Sequence, residues 1–176
     1  MKVMTALFGP TDAAHRAEAL KEAGASGVFT FEGPHDVFTP LVLASQVRGL
    51  DVMSNVAIGF PRNPIQLAHQ AHDLQSLSEG RFILGLGVSG PQVVEGWYGQ
   101  PFPKPLARTR EYITILRQAF ARERVAFSGE FYQLPYEGGT GLGKSLRSTL
   151  HPQRPDIPIM LAAEGPKNVA LAAELA

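Results

Sequence analysis

The sequence predicts an α/β fold built around a parallel β-sheet. Short apolar runs, which are typical of buried strands, alternate along the chain with longer stretches whose apolar residues recur at helical spacing. The composition is that of an ordinary globular domain, with 176 residues of which 44% are hydrophobic and 18% are charged. Strands that alternate with helices form parallel sheets joined by right-handed crossovers. This pattern is compatible with two arrangements of the sheet, a closed barrel and an open doubly wound sheet.

The strands are predicted from apolar runs that stop at turn-forming residues, as the first run stops at Gly9-Pro10. The helices are predicted from their start signals, of which Asn63-Pro64 is the clearest, because asparagine accepts backbone N–H bonds and proline needs no partner there. A weaker pattern at 125–134 predicts a hairpin that turns at Ser128-Gly129. The predicted strands cover residues 2–8, 27–31, 51–60, 82–86 and 158–163, and the predicted helices cover residues 12–23, 40–46, 63–78, 106–122 and 166–176.

The last predicted helix bears on the extent of the domain. Residues 172–176 (AAELA) are still amphipathic, and neither a C-cap nor a polar tail follows them. We therefore expect residues 1–176 to form a single domain that is incomplete at its C-terminus, with apolar strand edges open to pairing with other chains.

Composition and charge exclude several classes of function. Lys plus Arg and Asp plus Glu number 16 each, so no charge excess points to nucleic acid or to a membrane surface. Cysteine is absent, which excludes disulfides, thiolate metal sites and a cysteine nucleophile. No segment has the features of a signal peptide or approaches the roughly 20 apolar residues of a membrane span. We expect a cytoplasmic protein without a nucleic-acid or membrane partner.

The stretch 85–90 (GLGVSG) matches the dinucleotide-binding pattern G-x-G-x-x-G but not its context. That pattern needs a helix that begins inside the motif, and an acidic residue at a strand end about 20 residues later. Here a loop is predicted after Pro91, and a long helix begins where the acidic strand end should be. We interpret the glycines as a strand end that lets another group approach the backbone closely.

Five segments resemble the bacterial luciferase-like superfamily. They are FPRNP at 60–64, LQSLSEGRF at 74–82, LGLG at 84–87, RTREY at 108–112 and AAEGP at 162–166. The resemblance extends along the whole chain and is most specific in 55–90 and 106–120. It implies a TIM (β/α)8 barrel, of which this chain carries about five βα units.

The resemblance also implies a cofactor and a reaction. The superfamily binds FMN or the deazaflavin coenzyme F420, and residues 34–36 and 88–90 look closer to the F420 branch. The implied activity is hydride transfer between reduced F420 and an unknown organic substrate. The protein could also form a homo-oligomer. An FMN-dependent monooxygenase of the same fold and an inactive truncated remnant are the alternatives.

A TIM barrel places its site at the carboxyl ends of its strands, which selects His35 as the candidate proton donor or acceptor. Histidine titrates near neutral pH, and hydride transfer leaves a proton to be placed. Asp36 either fixes the tautomer of His35 or caps the following helix. Glu32, at the tip of the second strand, is the alternative acid or base.

Cofactor contacts are expected after the third and fourth strands. Asn55-Val56 occupies the position where the superfamily has a bulge with a cis peptide behind the flavin ring, and an ordinary buried strand is the alternative. Gly87, Val88 and Ser89 follow the fourth strand and would also contact the cofactor.

Further contacts are expected on two other loops. Glu164 and Gly165 precede a helix whose free N–H groups, together with Lys167, would bind a phosphate, unless the segment is a simple turn. Trp97 and Tyr98 would cover the ring or the substrate by stacking, or would pack beneath a long loop. His15, His69 and His72 lie on predicted helices away from the strand ends. His69 and His72 are three residues apart and are interpreted as a solvated helix face, not as metal ligands.

Overall fold

The strands of the main sheet are paired in their order along the chain. The computed structural model describes residues 1–151, 154 and 156–176. The strands are β1 (Met4–Ala6), β2 (Gly27–Thr30), β3 (Asp51–Ser54), β4 (Ala57–Ile58), β5 (Phe82–Gly87), β6 (Phe127–Ser128), β7 (Gln133–Leu134) and β8 (Ile159–Leu161). The helices are α1 (Ala13–Glu22), α2 (Thr39–Ala44), α3 (Pro64–Leu77), α4 (Pro91–Val94), α5 (Pro105–Phe120) and α6 (Pro166–Leu175).

All strand pairs in the main sheet are parallel, and the order of the strands distinguishes a barrel from a doubly wound sheet. β1 pairs with β2, β2 with β3, and β3 with the start of β5, while β4 pairs with the end of β5 and β8 lies on the other side of β5. A doubly wound sheet reverses its strand order at a switch point. No such reversal occurs among the described strands, so the sheet has the consecutive order of a (β/α) barrel.

One face of the sheet carries the hydrophobic core. The strand residues Val28 and Leu84, and Leu7 directly after β1, are fully buried against the helices. The helices contribute buried leucines such as Leu41, Leu67 and Leu116. Each such side chain contributes roughly 1.5–3 kcal/mol on burial. On the strands, the alternate residues point to the opposite face, where Phe29 and Ile83 are only half-buried and Met160 is exposed. The helices therefore cover one face, and the other corresponds to the interior of a barrel.

The third helix shows why the predicted start signals work. The Asn63 side chain accepts a hydrogen bond of 2.8 Å from the N–H of Ile65, and Pro64 occupies the first helical turn. The helix then buries Leu67, Ala71 and Leu74 along one stripe. The predicted cap of α3 is confirmed, and the predicted buried stripe is confirmed as far as Leu74. Leu77, which the helical spacing also placed on this stripe, is 43% exposed at the end of the helix.

Three predicted elements differ in the structure. The predicted strand 51–60 is divided into β3 and β4 at Asn55-Val56, which are joined by a cis peptide bond. The predicted loop after residue 90 begins with the short helix α4. The hairpin turns at 129–132, where the N–H of Gly129 donates to the carbonyl of Tyr132, and not at Ser128-Gly129.

The prediction that His72 is solvated is wrong. Its side chain is 1% exposed, its ring packs 5.5 Å from the ring of Phe120, and its Nδ1 lies 3.3 Å from the Ser148 hydroxyl. The pKa of His72 is lowered, mainly by this burial. Helix α3 contacts both β5 and α5, so its buried face is wider than a single stripe and includes position 72. His69, on the neighbouring face, is exposed as predicted.

Within 1–151, 154 and 156–176, no helix combines the length and the apolar character needed to cross a membrane.

The sheet edges predict self-association of the 176-residue chain. Within the described residues, β1 pairs only with β2 and β8 pairs only with β5, so each presents an unpaired edge. Unpaired edges join the edges of other chains. Size-exclusion chromatography with light scattering should therefore show dimers or larger species, and Met160→Lys on β8 should shift them toward monomer. A monodisperse monomer with one sharp thermal transition would contradict this expectation.

Candidate active site at the strand ends

Polar residues gather where the parallel strands end. Because β1, β2, β4, β5 and β8 all run in the same direction, the residues that follow them share one edge of the sheet. The loops after β2 and β5 carry most of the charged and aromatic side chains of this edge. The site is therefore built from segments that lie far apart in the sequence.

The glycines of the 85–90 stretch make room for a neighbouring strand. A Cβ on Gly85 would lie 1.8 Å from the Ser54 carbonyl oxygen, and a Cβ on Gly87 would lie 2.5 Å from Cγ2 of Val56. The Ser54 hydroxyl also donates to the Gly85 carbonyl at 2.9 Å and accepts from its N–H at 3.0 Å. The expected close approach to these glycines is confirmed, and the approaching residues are Ser54 at the end of β3 and Val56 between β3 and β4.

The Glu32 carboxylate accepts three hydrogen bonds from separate parts of the site. Its Oε2 accepts from the N–H of Ile58 at 2.7 Å and from the Arg62 guanidinium at 2.7 Å, and its Oε1 accepts from the Tyr98 hydroxyl at 2.9 Å. The side chain is only 6% exposed. Both carboxylate oxygens are therefore engaged, which suits a fixed anion better than a group that exchanges protons.

Arg62 is a member of the site to which the sequence predicted no role. Besides its ion pair with Glu32, it donates to the Ile58 carbonyl at 2.8 Å, lies 3.8 Å from the Asp36 carboxylate and stacks over the Phe38 ring. The sequence feature that points to a role for Arg62 is its position shortly after the third predicted strand. The guanidinium joins the loops that follow β2 and β4.

Asp36 caps helix α2. Its carboxylate accepts from the N–H of Phe38 at 2.9 Å, and from the N–H and hydroxyl of Thr39 at 2.7 Å and 2.8 Å. Of the two predicted roles, the structure shows the cap. It is the backbone carbonyl of Asp36, not its carboxylate, that contacts the His35 ring.

His35 is held by the backbone on both sides of its ring. Its Nδ1 donates to the Asp36 carbonyl at 2.9 Å, since a carbonyl can only accept, and Nε2 then accepts from the N–H of Gly9 at 3.2 Å. The ring centroid lies 6.4 Å from that of Phe31, which meets Phe8 edge to face at 5.7 Å. His35 is thus a neutral acceptor that links the loops after β1 and β2.

The two aromatic residues after β5 differ in their surroundings. Trp97 is 66% exposed, so it does not pack beneath its loop. Tyr98 is half-buried and bonded to Glu32. Between the strand and these residues, Val88 packs against Ile58 and Phe60, whereas Ser89 is exposed.

The turn before α6 presents backbone N–H groups at the same edge. Gly165 occupies the N-cap position, no side chain among the described residues caps the helix, and Pro166 begins it. Glu164 and Lys167 are exposed beside this turn. A helix start of this kind attracts anions.

Arg108 joins the segments that follow β4 and β5 beside the site. The buried guanidinium donates to the carbonyls of Phe60 and Pro101 at 3.0 Å and 2.8 Å and to the Tyr132 hydroxyl at 3.1 Å. In the sequence it appears only as part of the RTREY segment. Nearby, the buried hydroxyls of Thr109 and Tyr112 have no partner among the described residues and line a cavity with room for about one water molecule.

Comparison with known proteins identifies the family. Residues 2–176 match the luciferase-like monooxygenase family. A Mycobacterium tuberculosis protein, named provisionally as a coenzyme F420-dependent oxidoreductase, is 55% identical over 171 residues, which are 94% of this chain and 49% of the relative. The 5,10-methylenetetrahydromethanopterin reductase of Methanolobus tindarius is 30% identical over 96% of this chain and 50% of its own. The chain thus belongs to the luciferase-like monooxygenase family.

Solved structures agree on the fold. An F420-dependent secondary alcohol dehydrogenase in complex with an F420–acetone adduct aligns with a TM-score of 0.81 at 17% identity, over 99% of this chain and 56% of the other. The F420-dependent tetrahydromethanopterin reductase of Methanopyrus kandleri aligns with a TM-score of 0.79 at 21% identity, over 100% of this chain and 53% of the other. The chain spans about half the length of the curated relatives it matches, and its five consecutive strand positions are those of a TIM barrel.

Proposed function

We propose that this chain contributes the strand-end site of an oxidoreductase that transfers hydride between the deazaflavin coenzyme F420 and a small organic substrate. The observation that carries this proposal is the 55% identity, along 94% of the chain, to a protein provisionally named for that coenzyme. The geometry of the strand ends supports it.

The residues at the strand ends fit a flat cofactor with a phosphate tail. The segment Asn55-Val56, for which Gly85 and Gly87 leave room, would support one face of the ring, with Val88 and Ser89 beside it. Backbone and glycine at this place would let a planar ring approach the strand closely.

The phosphate end of the cofactor would be bound at the start of α6. No side chain in the described part of the chain caps the N–H groups that follow Gly165, and Lys167 adds a positive charge. Glu164 would contact the cofactor through its backbone, because its carboxylate repels a phosphate. The helix start and Lys167 therefore supply affinity without discriminating between F420 and FMN, which both carry phosphate.

Hydride chemistry would be supplied by the deazaflavin when it is bound, and this chain would handle the accompanying proton. Nε2 of His35 carries a lone pair that now accepts from the Gly9 N–H, so it can take a proton from a substrate hydroxyl once that bond is released. Trp97 and Tyr98 would stand beside the substrate. Glu32 and Arg62 form a fixed ion pair near this position.

We also propose a cytoplasmic location and a small-molecule partner, with self-association through the strand edges. The absence of cysteine suits a reducing compartment, and the balanced charge favours neither nucleic acid nor anionic lipid.

Equilibrium titration with F420 and with FMN tests the proposal. We expect F420 to bind more tightly than FMN by about tenfold or more, a difference of about 1.4 kcal/mol. Tighter binding of FMN would favour the monooxygenase alternative. Binding of neither cofactor would favour the inactive remnant.

A second titration tests the phosphate contact. Lys167→Ala should weaken F420 binding by up to about fivefold, the range of one charge at a helix start. Lys144→Ala is the matched control, since Lys144 is exposed on a loop outside the site and should leave the affinity unchanged. Equal effects of the two substitutions would remove Lys167 from the site.

A further inference from the structure

The segment 88–102, here named the cover, packs over the ends of β4 and β5 with a small core of its own. Val94 is fully buried against Ile58 and Phe60, and Val93 and Phe102 pack against the same cluster. This cluster is separate from the main core between the sheet and the helices. The cover is thus a distinct element attached to the strand ends.

Among the described residues, two side-chain hydrogen bonds join the cover to the rest of the chain. At its far end, the Pro101 carbonyl accepts from the buried Arg108 guanidinium at 2.8 Å. In its middle, the Tyr98 hydroxyl donates to Oε1 of Glu32 at 2.9 Å. The first tie lies beside helix α5, whereas the second reaches across to the loop after β2. The Tyr98 bond is therefore the tie that holds the cover across the strand ends.

The carboxylate that receives this bond is itself fixed. Oε2 of Glu32 accepts from the Ile58 N–H and from Arg62, both at 2.7 Å, which leaves Oε1 directed at Tyr98. Burial, followed by the neighbouring Glu32 carboxylate, raises the pKa of the Tyr98 phenol, so this phenol keeps its proton and remains a donor. A protonated Glu32 would lose an acceptor that one of these donors needs.

We propose that Glu32 is a positioning residue, which through Tyr98 holds the cover closed over the strand ends and sets the place of Trp97 beside the substrate. Closing a site in this way keeps water from the atoms between which hydride moves. The proposal concerns the same site as the proposed function and extends it. Its first test needs no cofactor, so either proposal can fail while the other stands.

Hydrogen exchange and Trp97 fluorescence test the tie directly. The amides of Val93, Val94, Glu95, Trp97 and Gln100 all bond within the cover, and Trp97 is the only tryptophan of the sequence. Removal of a hydrogen bond to a charged group by Tyr98→Phe should speed exchange of these amides by about tenfold or more. It should also increase the fast local component of the Trp97 anisotropy decay. Exchange in β5 and in α3 should not change.

The matched control is Tyr136→Phe, which removes the hydroxyl of a tyrosine that is 76% exposed and lies outside the cover. It should leave both readouts unchanged. Cover exchange in Tyr98→Phe that equals the wild-type rate would overturn the proposal. Faster exchange across the whole chain would overturn it as well, because the tyrosine would then stabilise the fold and not the cover.

Glu32→Gln distinguishes positioning from acid–base catalysis. The amide keeps the size of the side chain but lacks the charge that pairs with Arg62 and one of the two acceptors. We expect it to loosen the cover as Tyr98→Phe does and, in protein that shows turnover, to raise KM while the pH profile of kcat keeps its shape. Loss of one limb of that profile would show that Glu32 transfers a proton, and would overturn the positioning role.

Discussion

Replacement of Gly85 by alanine is expected to destabilise the protein by about 3 kcal/mol, the upper range for overpacking a buried position. The added methyl carbon would lie 1.8 Å from the Ser54 carbonyl oxygen, and the obstacle is backbone, which cannot turn aside as a flexible side chain can. The hydrogen bonds between the Ser54 hydroxyl and Gly85 would be strained by the same displacement. Urea unfolding followed by far-ultraviolet circular dichroism measures the loss.

Gly33→Ala serves as the control for this measurement. A Cβ at Gly33 meets no atom within 4 Å, and the residue has no positive φ. Its substitution should change the free energy of unfolding by less than about 0.5 kcal/mol. Equal stabilities of the two variants would show that the backbone at Ser54 can withdraw from Gly85 at little cost.

Replacement of His35 by alanine should lower turnover by roughly 100-fold in protein that shows activity, the lower range for loss of a general acid or base. The side chain is half-buried at the strand ends, and its Nε2 accepts from the Gly9 N–H. Cofactor affinity should change little, because the expected cofactor contacts lie on other loops. Steady-state kinetics across a pH range, with cofactor titration in parallel, measures both effects.

Two comparisons separate proton transfer from a purely structural role of His35. Added imidazole should restore part of the turnover of His35→Ala if the missing group is a base. His69→Ala, on the exposed face of α3, should keep the wild-type rate and pH profile. Normal turnover of His35→Ala with an unchanged pH profile would remove His35 from the mechanism.

The features predicted correctly from the sequence are those that local chemistry determines. Asn63-Pro64 predicts the start of α3, because a cap and a first helical turn need only neighbouring residues. The glycines at 85 and 87 announce a close approach because only glycine tolerates one. The break at Asn55-Val56 came from the resemblance, since the residues alone fit an ordinary strand equally well.

The features that escaped prediction depend on partners far away in the sequence. Arg62 acquires its role from Glu32, 30 residues earlier, and Tyr98 from the same carboxylate, 66 residues earlier. His72 looks like a surface position on its own helix, but Phe120 and Ser148 enclose it. Spacing along one element carries no information about such contacts. The same holds for the strand order, which distinguished a barrel from a doubly wound sheet.

The order of the strands has a consequence for how the chain reaches its native state. Domains emerge from synthesis with their N-terminal residues first, and local contacts form faster than distant ones. β2 and β3 can each join an edge that earlier residues have already made, so the first part of the sheet can assemble while later residues are still being translated. The addition of β8 to β5 is different, because it must close a connection of more than 70 residues that contains α4, α5 and the hairpin. The entropic cost of closing this connection grows only slowly with its length. However, β8 meets β5 late, because the two strands lie far apart in the sequence. We therefore expect the docking of β8 to be the rate-limiting event in refolding of this sheet.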